Sequence, residues 1–539
     1  MRVSLLSSLP LASLLLAGPL CAAPRPSLVV VISVDQFSAE LMARWGREWP
    51  GGLGRLAKEG TLFVSAYHDH GLTETGPGHS VLLSGRHPAH TGICENRWLD
   101  RSTATWTYCV NDPASPVLGA SHRFAGPRNF QGSTLGQWLR SQVPQSRSYA
   151  ITGKDRSAIL MAGPQADGVY WFEPEVGFTT SRTYAAQLPA WLQAYDQRLV
   201  QSLSASSFFW EALSGQPEPG GSFVVRDKPL TMGLPRLVHG VGMAQDRPFW
   251  DRLRASPFYD QMVLDAAQEL IAQEKLGKGN GTDLLALGLS ATDYVGHAFG
   301  NQGPEMRDQL RRLDRALGRF LDRLSDQVPR LWVVLTGDHG CGDFPERLAT
   351  QGHTAKRIEA PRWGRALDEA VCRTFKVKGP LFHTMDGGSL YLNEANVRAA
   401  GLAKAEVLKA AAEEARKLDD VLDAVSADEL GAMAFPASAD PAAHSLRERL
   451  RLSYVPGRSA DLFIVFKPSV MVDDGATLCC HGHPHDMDRR VPLAFWGPWK
   501  AEMRPEPVRT VDLAATLAQE LGLRPAEALD GKALALKPR

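Results

Sequence analysis

Continuous apolar runs that end in an aspartate recur along the chain and predict strands of a parallel sheet. The first is SLVVVISVD, from Ser27 to Asp35. Two later runs are DLLALGLSATD, from Asp283 to Asp293, and RLWVVLTGDHG, from Arg330 to Gly340. Strands with helices on both sides are buried on both faces, so their sequences are apolar without alternation. We therefore expect the three runs to belong to one sheet.

Helical periodicity appears between the second and third runs. Apolar residues recur there every three or four positions, which predicts an amphipathic helix carrying Met306, Leu310, Leu313, Leu317, Leu321 and Leu324. Strand, helix and strand at this spacing form a βαβ unit. Near the C-terminus, PLAFWGP predicts another buried strand at residues 492–498, followed by a helix with Leu513, Leu517 and Leu521. The pattern predicts an α/β fold whose mostly parallel central sheet has helices on both faces.

The remaining segments differ in composition from these strands. Residues at roughly 100–280 and 345–480 are richer in proline, glycine and charge, and we expect them to be insertions. The chain has 539 residues, of which 44% are hydrophobic, so it can build one large packed core. The prediction is a single domain over residues 24–539.

The first residues predict a secretory signal peptide. They combine a positive charge at Arg2, an apolar stretch from Leu5 to Leu16 and small residues up to Ala23. We expect residues 1–23 to be removed, although Pro24 disfavours cleavage directly before it and leaves the cleavage position open.

A lipid anchor at Cys21 is a weaker alternative, because Leu20 is a poor residue before a lipidated cysteine. The rest of the sequence contains no run of about 18 apolar residues, so we expect no membrane span. The predicted location is periplasmic or secreted.

Charge and cysteine content narrow the functional class. Lysine plus arginine and aspartate plus glutamate both number 59, which gives no basic footprint for nucleic acid or anionic lipid. We expect a small-molecule enzyme that is monomeric. Export permits disulfides among the cysteines after residue 23, and the short Cys94–Cys109 loop is our first choice.

Carboxylates and imidazoles follow the predicted strands. Asp35, Asp293 and Asp338 lie at strand ends, where open α/β sheets bind ligands. His297 comes four residues after Asp293, on the same face of a helical turn, and His339 comes directly after Asp338. One such aspartate could simply cap a helix. Three of them with neighbouring histidines predict a binuclear metal site.

Further histidines lie in two other segments. CHGHPHDMDRRVP contains His481, His483 and His485, and any of them could supply the third imidazole. A second group lies near Thr75 and is expected to make loop hydrogen bonds rather than bind metal; it comprises His68, His70, His79, His87 and His90.

Thr75 lies in GLTETGPGHSVLLSG, just before a glycine–proline–glycine turn and a helix predicted at residues 80–83. Taken alone, this stretch is as typical of a helix cap as of a nucleophile. The unpaired N–H groups and the dipole at a helix start also favour an anion there.

Together these segments resemble the alkaline phosphatase superfamily. The resemblance rests on Asp35, TETGPGHSVLLSGRHPAHTGICENRW, GKDRSAIL, TDYVGH, TGDHG and HGHPHDMDRRVP, and it continues to the final RTVDLAATLAQELG helix. More narrowly, the sequence is similar to periplasmic zinc-dependent phosphomonoesterases of the PafA type. The resemblance implies two Zn²⁺ ions, one held by Asp293, His297 and His481 and the other by Asp35, Thr75, Asp338 and His339.

The resemblance also implies the catalytic roles. Thr75 would be the nucleophile that forms a phosphothreonine, while Asn96, Lys154 and Arg156 would contact the phosphoryl oxygens. Without the family, Lys-Asp-Arg is only a polar loop. The choice of His481 is weakened because His483 and His485 replace the small and aromatic residues usual there.

Three alternatives to a phosphomonoesterase remain from the sequence. A phosphodiesterase or nucleotide pyrophosphatase of the same superfamily would share the metal ligands and the threonine. A sulfatase is disfavoured because the C-x-P-x-R motif is missing. A zinc-containing phosphate-binding protein without turnover is the most remote alternative.

Overall fold

The computed structural model describes residues 25–539 except residues 175, 206, 241–245 and 474. The predicted signal peptide and the alternative lipid anchor at Cys21 lie outside the described residues. None of the helices in the described ranges is long and apolar enough to cross a membrane.

The chain forms many short elements around a few long ones. The strands are β1 (Leu28–Val34), β2 (Thr61–Tyr67), β3 (Arg97–Asp100), β4 (Thr105–Tyr108), β5 (Ser148–Thr152), β6 (Gly168–Glu173), β7 (Gly177–Thr179), β8 (Phe208–Trp210), β9 (Glu218–Val225), β10 (Lys228–Leu234), β11 (Arg236–His239), β12 (Asp283–Leu289), β13 (Leu331–Thr336), β14 (Lys356–Glu359), β15 (Ser389–Leu390), β16 (Val421–Ser426), β17 (Leu462–Phe466), β18 (Val470–Asp473), β19 (Arg490–Trp496), β20 (Glu502–Arg504) and β21 (Val508–Arg509).

The α-helices are α1 (Ala39–Trp45), α2 (Gly52–Glu59), α3 (Thr75–Leu82), α4 (Pro88–Thr91), α5 (Leu135–Gln142), α6 (Asp155–Ala162), α7 (Ala190–Ala205), α8 (Arg247–Arg254), α9 (Pro257–Gln273), α10 (Ala291–Phe299), α11 (Pro304–Gln327), α12 (Pro345–Thr350), α13 (Ala360–Phe375), α14 (Glu394–Ala399), α15 (Lys404–Arg416), α16 (Ala427–Ala432), α17 (Leu446–Ser453), α18 (Asp486–Arg489) and α19 (Asp512–Glu520).

The central sheet has ten strands in the order β20-β2-β19-β13-β1-β12-β5-β6-β7, with β21 also paired to β2. Strand β1 runs parallel to both neighbours, β12 and β13. Strand β19, which covers residues 492–496 of the predicted C-terminal strand, is antiparallel to β13 and β2, and β7 is antiparallel to β6. The predicted α/β fold with a mostly parallel central sheet is confirmed.

Two apolar cores lie on opposite faces of this sheet. Alternate residues of β1 point to different cores: Val29 and Val31 belong to one, and Val30 and Ile32 to the other. Helix α11 packs its predicted apolar stripe into the second core, and α19 packs its leucines into the first. Each fully buried leucine stabilises the fold by about 1.5–3 kcal/mol, so these stripes hold helices on both faces of the sheet.

The two segments expected to be insertions contribute differently to the architecture. Residues 148–179, within the first segment, supply β5, β6 and β7 to the central sheet. The second segment forms a separate three-stranded sheet, β15-β17-β16, with its own apolar core.

The expected Cys94–Cys109 disulfide is not formed. Both residues are buried free thiols. The Cys109 sulfur lies beside Gly76, 3.1 Å from where a Cβ on that glycine would sit, whereas the Cys94 thiol lies against Ser459. The two side chains therefore have different neighbours although their short sequence separation favoured pairing.

His68, which follows β2, is expected to make the folded state less stable as the pH falls. Its ring is fully buried between the Gly337 carbonyl, 2.9 Å from Nε2, and the Thr510 hydroxyl, 3.1 Å from Nδ1. Burial lowers the pKa of His68 to about 4, compared with about 6.5 for an exposed histidine. Between these values the unfolded chain binds a proton that the folded chain excludes, so the free energy of unfolding falls as the pH drops.

Between pH 7 and pH 4.5, we expect the free energy of unfolding to fall by about 2 kcal/mol less in His68→Gln than in the wild type. Urea unfolding at both pH values measures the difference, and His353→Gln, at an exposed histidine, is the matched control. Equal pH dependence in the wild type and His68→Gln would contradict the assignment.

Candidate active site

Three parallel strands bring carboxylates to one edge of the central sheet. Asp35 follows β1 directly, and Asp338 follows β13 after one intervening residue. Asp293 lies in the first turn of α10, immediately beyond β12. All three side chains are buried, with relative exposures of 1%, 0% and 2% for Asp35, Asp338 and Asp293. Their strands are adjacent in the sheet, which explains how residues distant in the sequence meet.

The first ligand group comprises Asp293, His297 and His481, whose candidate ligand atoms lie within 4.8 Å of one another. Asp293 Oδ1 is 3.1 Å from His297 Nε2 and 3.6 Å from His481 Nε2. The other ring nitrogens face backbone carbonyls, with His297 Nδ1 2.7 Å from Cys479 O and His481 Nδ1 2.9 Å from Thr73 O. Such contacts orient a histidine so that Nε2 presents its lone pair to a metal.

The second ligand group comprises Asp35, Asp338 and His339, also within 4.8 Å of one another. His339 Nε2 lies 3.5 Å from an oxygen of each aspartate, while its Nδ1 lies 3.0 Å from the carbonyl oxygen of Gly340. Again one nitrogen is held by the backbone and the other faces carboxylates. Two imidazole-carboxylate groups therefore lie side by side at the sheet edge.

An unpartnered carboxylate oxygen indicates that the second ligand group suits a divalent cation. Within the described residues, Asp35 Oδ1 makes no hydrogen bond, whereas Asp35 Oδ2 faces Lys154 at 2.6 Å and Asp338 Oδ2 faces His79 at 3.1 Å. Buried carboxylate oxygens without partners are costly unless they are paired or coordinate a metal. The mixture of imidazole and carboxylate ligands fits Zn²⁺ and similar ions.

Burial also keeps two of the imidazoles in the form that binds metal. Desolvation lowers the pKa of His339 to about 4. It also lowers the pKa of His481 well below the ordinary value, and the neighbouring His339 and His297 lower it further. For His297, burial opposes the charged form, but the carboxylate of Asp293 outweighs it and raises the pKa. Neutral imidazoles have the lone pair that coordination requires.

Lys154 links the two ligand groups. Its ammonium nitrogen lies 2.6 Å from an oxygen of Asp35 and 2.6 Å from an oxygen of Asp293. Burial disfavours this charge, but Asp293 and Asp35 outweigh that cost and raise the pKa of Lys154. The ammonium therefore stays charged at the centre of the site.

Gln36 is a site residue that the motifs did not reveal. Its side-chain amide donates to Asp293 at 3.1 Å, and its backbone N–H donates to Asp338 at 3.0 Å. The backbone is left-handed here, with φ of 63°. Its position directly after Asp35 was the only signal in the sequence. Gln36 thus connects carboxylates of both ligand groups.

Thr75 lies at the start of α3, facing the second ligand group. Its hydroxyl oxygen is 3.5 Å from His339 Nε2 and 3.2 Å from Arg156 Nη2. The helix begins at Thr75 rather than at residue 80 as predicted, because a proline is tolerated in the first turn, where backbone N–H groups lack intrahelical partners. Gly78 allows this helix to approach Asp338, since a Cβ there would lie 2.1 Å from the Asp338 carbonyl oxygen.

Asn96 is fixed at the start of α3 by its carbonyl end. Its Oδ1 accepts the backbone N–H of Gly76 at 2.7 Å, and its own backbone N–H donates to the carboxylate of Glu74. The side-chain amide group is thereby the end left to donate to a ligand. Glu74 was not identified from the sequence; burial raises its pKa to about 7.

Arg156 is oriented by Tyr108 and Asp155. The tyrosine hydroxyl accepts a hydrogen bond from Arg156 Nη1 at 3.1 Å and donates one to Asp155 at 2.6 Å. This chain of bonds aims the other guanidinium nitrogen at Thr75. Neither Tyr108 nor Asp155 was predicted as a site residue, because nothing in the local sequence indicates that the Tyr108 hydroxyl contacts Asp155 and Arg156.

A cleft of about 790 Å³ opens beside Lys154 and Arg156. Aromatic and cationic side chains line it, including Tyr108, Trp250, Tyr294, Arg123, Arg247 and Arg254. The cleft is large enough to take a group much bigger than phosphate.

Three further histidines that the sequence analysis considered are outside the two ligand groups: His79, His483 and His485. His483 pairs with Asp488 at 2.9 Å, and His485 lies 2.8 Å from the carbonyl oxygen of Phe466. Among the three histidines of that segment, His481 is the one grouped with Asp293. His79, expected to make loop contacts, lies 3.1 Å from Asp338 as well as 2.9 Å from the Thr75 carbonyl.

Both the sequence and the fold are similar to those of known proteins. The sequence matches the type I phosphodiesterase / nucleotide pyrophosphatase family over residues 29–486. Alkaline phosphatase PhoK of a Sphingomonas species is 35% identical, over 96% of this chain and 92% of its own, and alkaline phosphatase PhoD of Zymomonas mobilis is 34% identical, over 95% and 88%. A crystal structure of alkaline phosphatase PafA aligns with a TM-score of 0.83 at 25% identity, covering 95% of this chain and 99% of that one. The predicted resemblance is confirmed, and the chain belongs to the type I phosphodiesterase / nucleotide pyrophosphatase family.

Proposed function

We propose that the protein is an alkaline phosphatase that hydrolyses phosphate monoesters through a covalent phosphothreonine at Thr75. The observation that carries this proposal is the hydroxyl of Thr75 held 3.2 Å from the Arg156 guanidinium and beside a ligand group at His339. A nucleophile, an anion-binding cation and metal ligands are then within reach of one phosphoryl group. The names of the similar proteins PhoK, PhoD and PafA support the same activity.

Two Zn²⁺ ions are the proposed cofactors. One would be held by Asp293, His297 and His481, and the other by Asp35, Asp338, His339 and the hydroxyl of Thr75. Bound zinc would supply Lewis-acid stabilisation of the attacking and leaving oxygens in a displacement at phosphorus.

The protein's own residues act in two displacements. First, Thr75 Oγ1 attacks phosphorus as its hydroxyl proton passes to solvent, the bond from phosphorus to the ester oxygen breaks, and the departing alkoxide takes a proton from solvent to leave as the alcohol. Water then attacks the phosphothreonine, which releases phosphate and restores the threonine hydroxyl. Because each displacement inverts phosphorus, the net configuration is retained. Thr75 is the first residue of α3, where the helix dipole favours a negative charge.

The phosphoryl oxygens are bound by three side chains. Arg156 provides a planar fork next to Thr75, Lys154 provides a point charge, and Asn96 donates its amide. Tyr108 and Asp155 position the guanidinium before the substrate arrives, so little reorganisation is needed.

The two cations favour a monoester over a diester. A monoester dianion has one more negative charge than a diester and gains more from Lys154 and Arg156. The cleft of about 790 Å³ and the family match keep a phosphodiesterase as the second candidate, because a diester needs space for another ester group. The charge arrangement, rather than the available volume, therefore discriminates between the two activities.

The N-terminal sequence supports a proposal for the location of the protein. We propose that residues 1–23 are removed on export and that one catalytic domain from residue 24 acts as a monomer in the periplasm or outside the cell.

The proposal is tested by comparing hydrolysis of 4-nitrophenyl phosphate and bis(4-nitrophenyl) phosphate. We expect the wild type to prefer the monoester. Arg156→Ala should lower kcat/KM for the monoester by about 10²- to 10³-fold and for the diester by less than about tenfold. Arg247→Ala, which removes an exposed arginine of the same cleft, is the matched control and should change neither rate. Diester preference in the wild type would favour the second candidate instead.

A further inference from the structure

A third histidine-carboxylate cluster lies outside the two ligand groups of the active site. His87 directly precedes α4 and His90 lies within it. Helix α4 follows α3, which begins with Thr75, and Asp530 comes from the C-terminal tail. The oxygen Oδ2 of Asp530 lies 2.8 Å from His90 Nδ1 and 3.3 Å from His87 Nδ1. These candidate ligand atoms all lie within 4.8 Å of one another. We refer to His87, His90 and Asp530 as the tail cluster.

His87 is oriented like a metal-binding imidazole. Its Nε2 lies 2.8 Å from the carboxylate of Asp69, which is itself fully buried. Asp69 accepts the Nε2 proton and Nδ1 faces Asp530, so a metal ion bound at Nδ1 would take the place of a proton there. A carboxylate behind a histidine is the usual support of a metal ligand, because it fixes the tautomer and makes the ring more basic.

One buried imidazole nitrogen at this place lacks a partner, and another faces only a carboxylate. The side chain of His87 is 6% exposed, and its Nδ1 faces Asp530 Oδ2 at 3.3 Å. His444 is 4% exposed, its Nε2 lies 3.0 Å from the Ser438 carbonyl oxygen, and its Nδ1 is unpartnered within the described residues. Both histidines line one cavity of about 260 Å³ together with His90 and Asp530. An unpaired buried nitrogen is costly, and a cation would satisfy it.

The charges around the cavity are compatible with a cation. Two carboxylates, Asp69 and Asp530, line the cavity. The guanidinium of Arg509 also lines it but is paired with the carboxylate of Asp512 at 2.7 Å. Lys532 also lines the cavity. The donor set of imidazoles and one carboxylate, with room for a further ligand, is the set that tetrahedral Zn²⁺ takes in proteins.

We propose that the tail cluster is a third zinc site, with a structural role. The backbone N–H groups of Asp530 and Gly531 donate to the carbonyl of Gly85 at 3.0 and 3.1 Å. Gly85 lies three residues beyond α3, so an ion on the tail cluster would bind the C-terminal tail to the segment that follows the nucleophile. The ion binds the folded chain and not the unfolded one, so it stabilises this junction by mass action. This site is independent of the proposed catalytic zinc ions and differs from our prediction that His87 and His90 make loop hydrogen bonds rather than bind metal.

Zinc stoichiometry of the full-length protein tests this site. We expect the wild type, after equilibration with a zinc buffer, to retain one more zinc ion per chain than His90→Gln, as measured by inductively coupled plasma mass spectrometry. With both catalytic ions bound, the totals should be three and two, one ion for each of the three groups. His90→Gln changes a side chain that is 35% exposed, and His353→Gln, at an exposed histidine outside every group, should retain the wild-type content.

Anomalous diffraction at the zinc edge gives a second measurement on the wild type. A peak between His87 Nδ1, His90 Nδ1 and Asp530 supports the proposal even where a variant folds poorly. Equal zinc content in the wild type and folded His90→Gln, or no peak at the tail cluster in zinc-equilibrated crystals, would overturn it. Failure of the active-site zinc would instead lower the content of both proteins equally and leave their difference unchanged.

Discussion

Thr75→Ala is expected to lower kcat for phosphate monoesters by about 10⁴-fold or more. The side-chain oxygen removed is the one that lies between Arg156 and His339, and alanine cannot form the phosphoryl ester on which the proposed pathway depends. Water could still attack the substrate directly, but it lacks the fixed position that the start of α3 gives to the hydroxyl.

The measurement is steady-state hydrolysis of 4-nitrophenyl phosphate, with mass spectrometry of acid-quenched enzyme to detect a phosphoryl group on the peptide containing Thr75. Thr75→Ser is the matched variant, because it keeps a hydroxyl at the same backbone position and should retain turnover within about tenfold to 100-fold of the wild type. Zinc content and thermal stability should change little in either variant, since six aspartate and histidine ligands remain. Wild-type turnover in Thr75→Ala would exclude the threonine as nucleophile.

Asp338→Asn is expected to lower kcat/KM by about 10³-fold and to weaken metal retention in the second ligand group. Asp338 connects several parts of the site: one oxygen accepts the Gln36 backbone N–H, and the other faces His79 and His339. An amide has nearly the same shape but lacks the negative charge that balances a divalent cation. The loss should therefore fall on metal affinity and on turnover together.

Chelation distinguishes a metal effect from a general loss of structure. Removing metal from the wild type should abolish turnover and adding zinc should restore it, whereas Asp338→Asn should need far more zinc for the same recovery. Asp196→Asn is the control, because that carboxylate accepts the Phe178 N–H, away from both ligand groups. Activity that survives complete metal removal would contradict the proposed cofactor.

Several parts of the site could be predicted because their spacing is local. Asp293 and His297 are one helical turn apart in α10, and Asp338 and His339 are adjacent in a turn after β13. The apolar runs before them indicated buried parallel strands, and parallel strands place their carboxyl ends at one edge. Short-range periodicity therefore predicted both the sheet and the clustering of its carboxylates.

Other parts depended on contacts that no local pattern encodes. His481, His483 and His485 have equivalent chemistry, and their different neighbours separate them: Asp488 takes one and the Phe466 carbonyl another, while His481 stacks on His339 with ring centroids 3.7 Å apart. Likewise, nothing around Tyr108 indicates that its hydroxyl orients Arg156.

The chain's own pattern established the α/β fold and the family to which the sequence belongs, because these depend on residue identity and on spacing within one element. Folding alone established that Lys154 bridges Asp35 and Asp293, that Gln36 joins two carboxylates and that Asp530 meets His87 across more than 400 residues. Such contacts depend on strand order, helix packing and side-chain rotamers throughout the molecule. Each such contact is stabilised by interactions with many residues that are distant in the sequence, and a short stretch of sequence contains only a few of those residues.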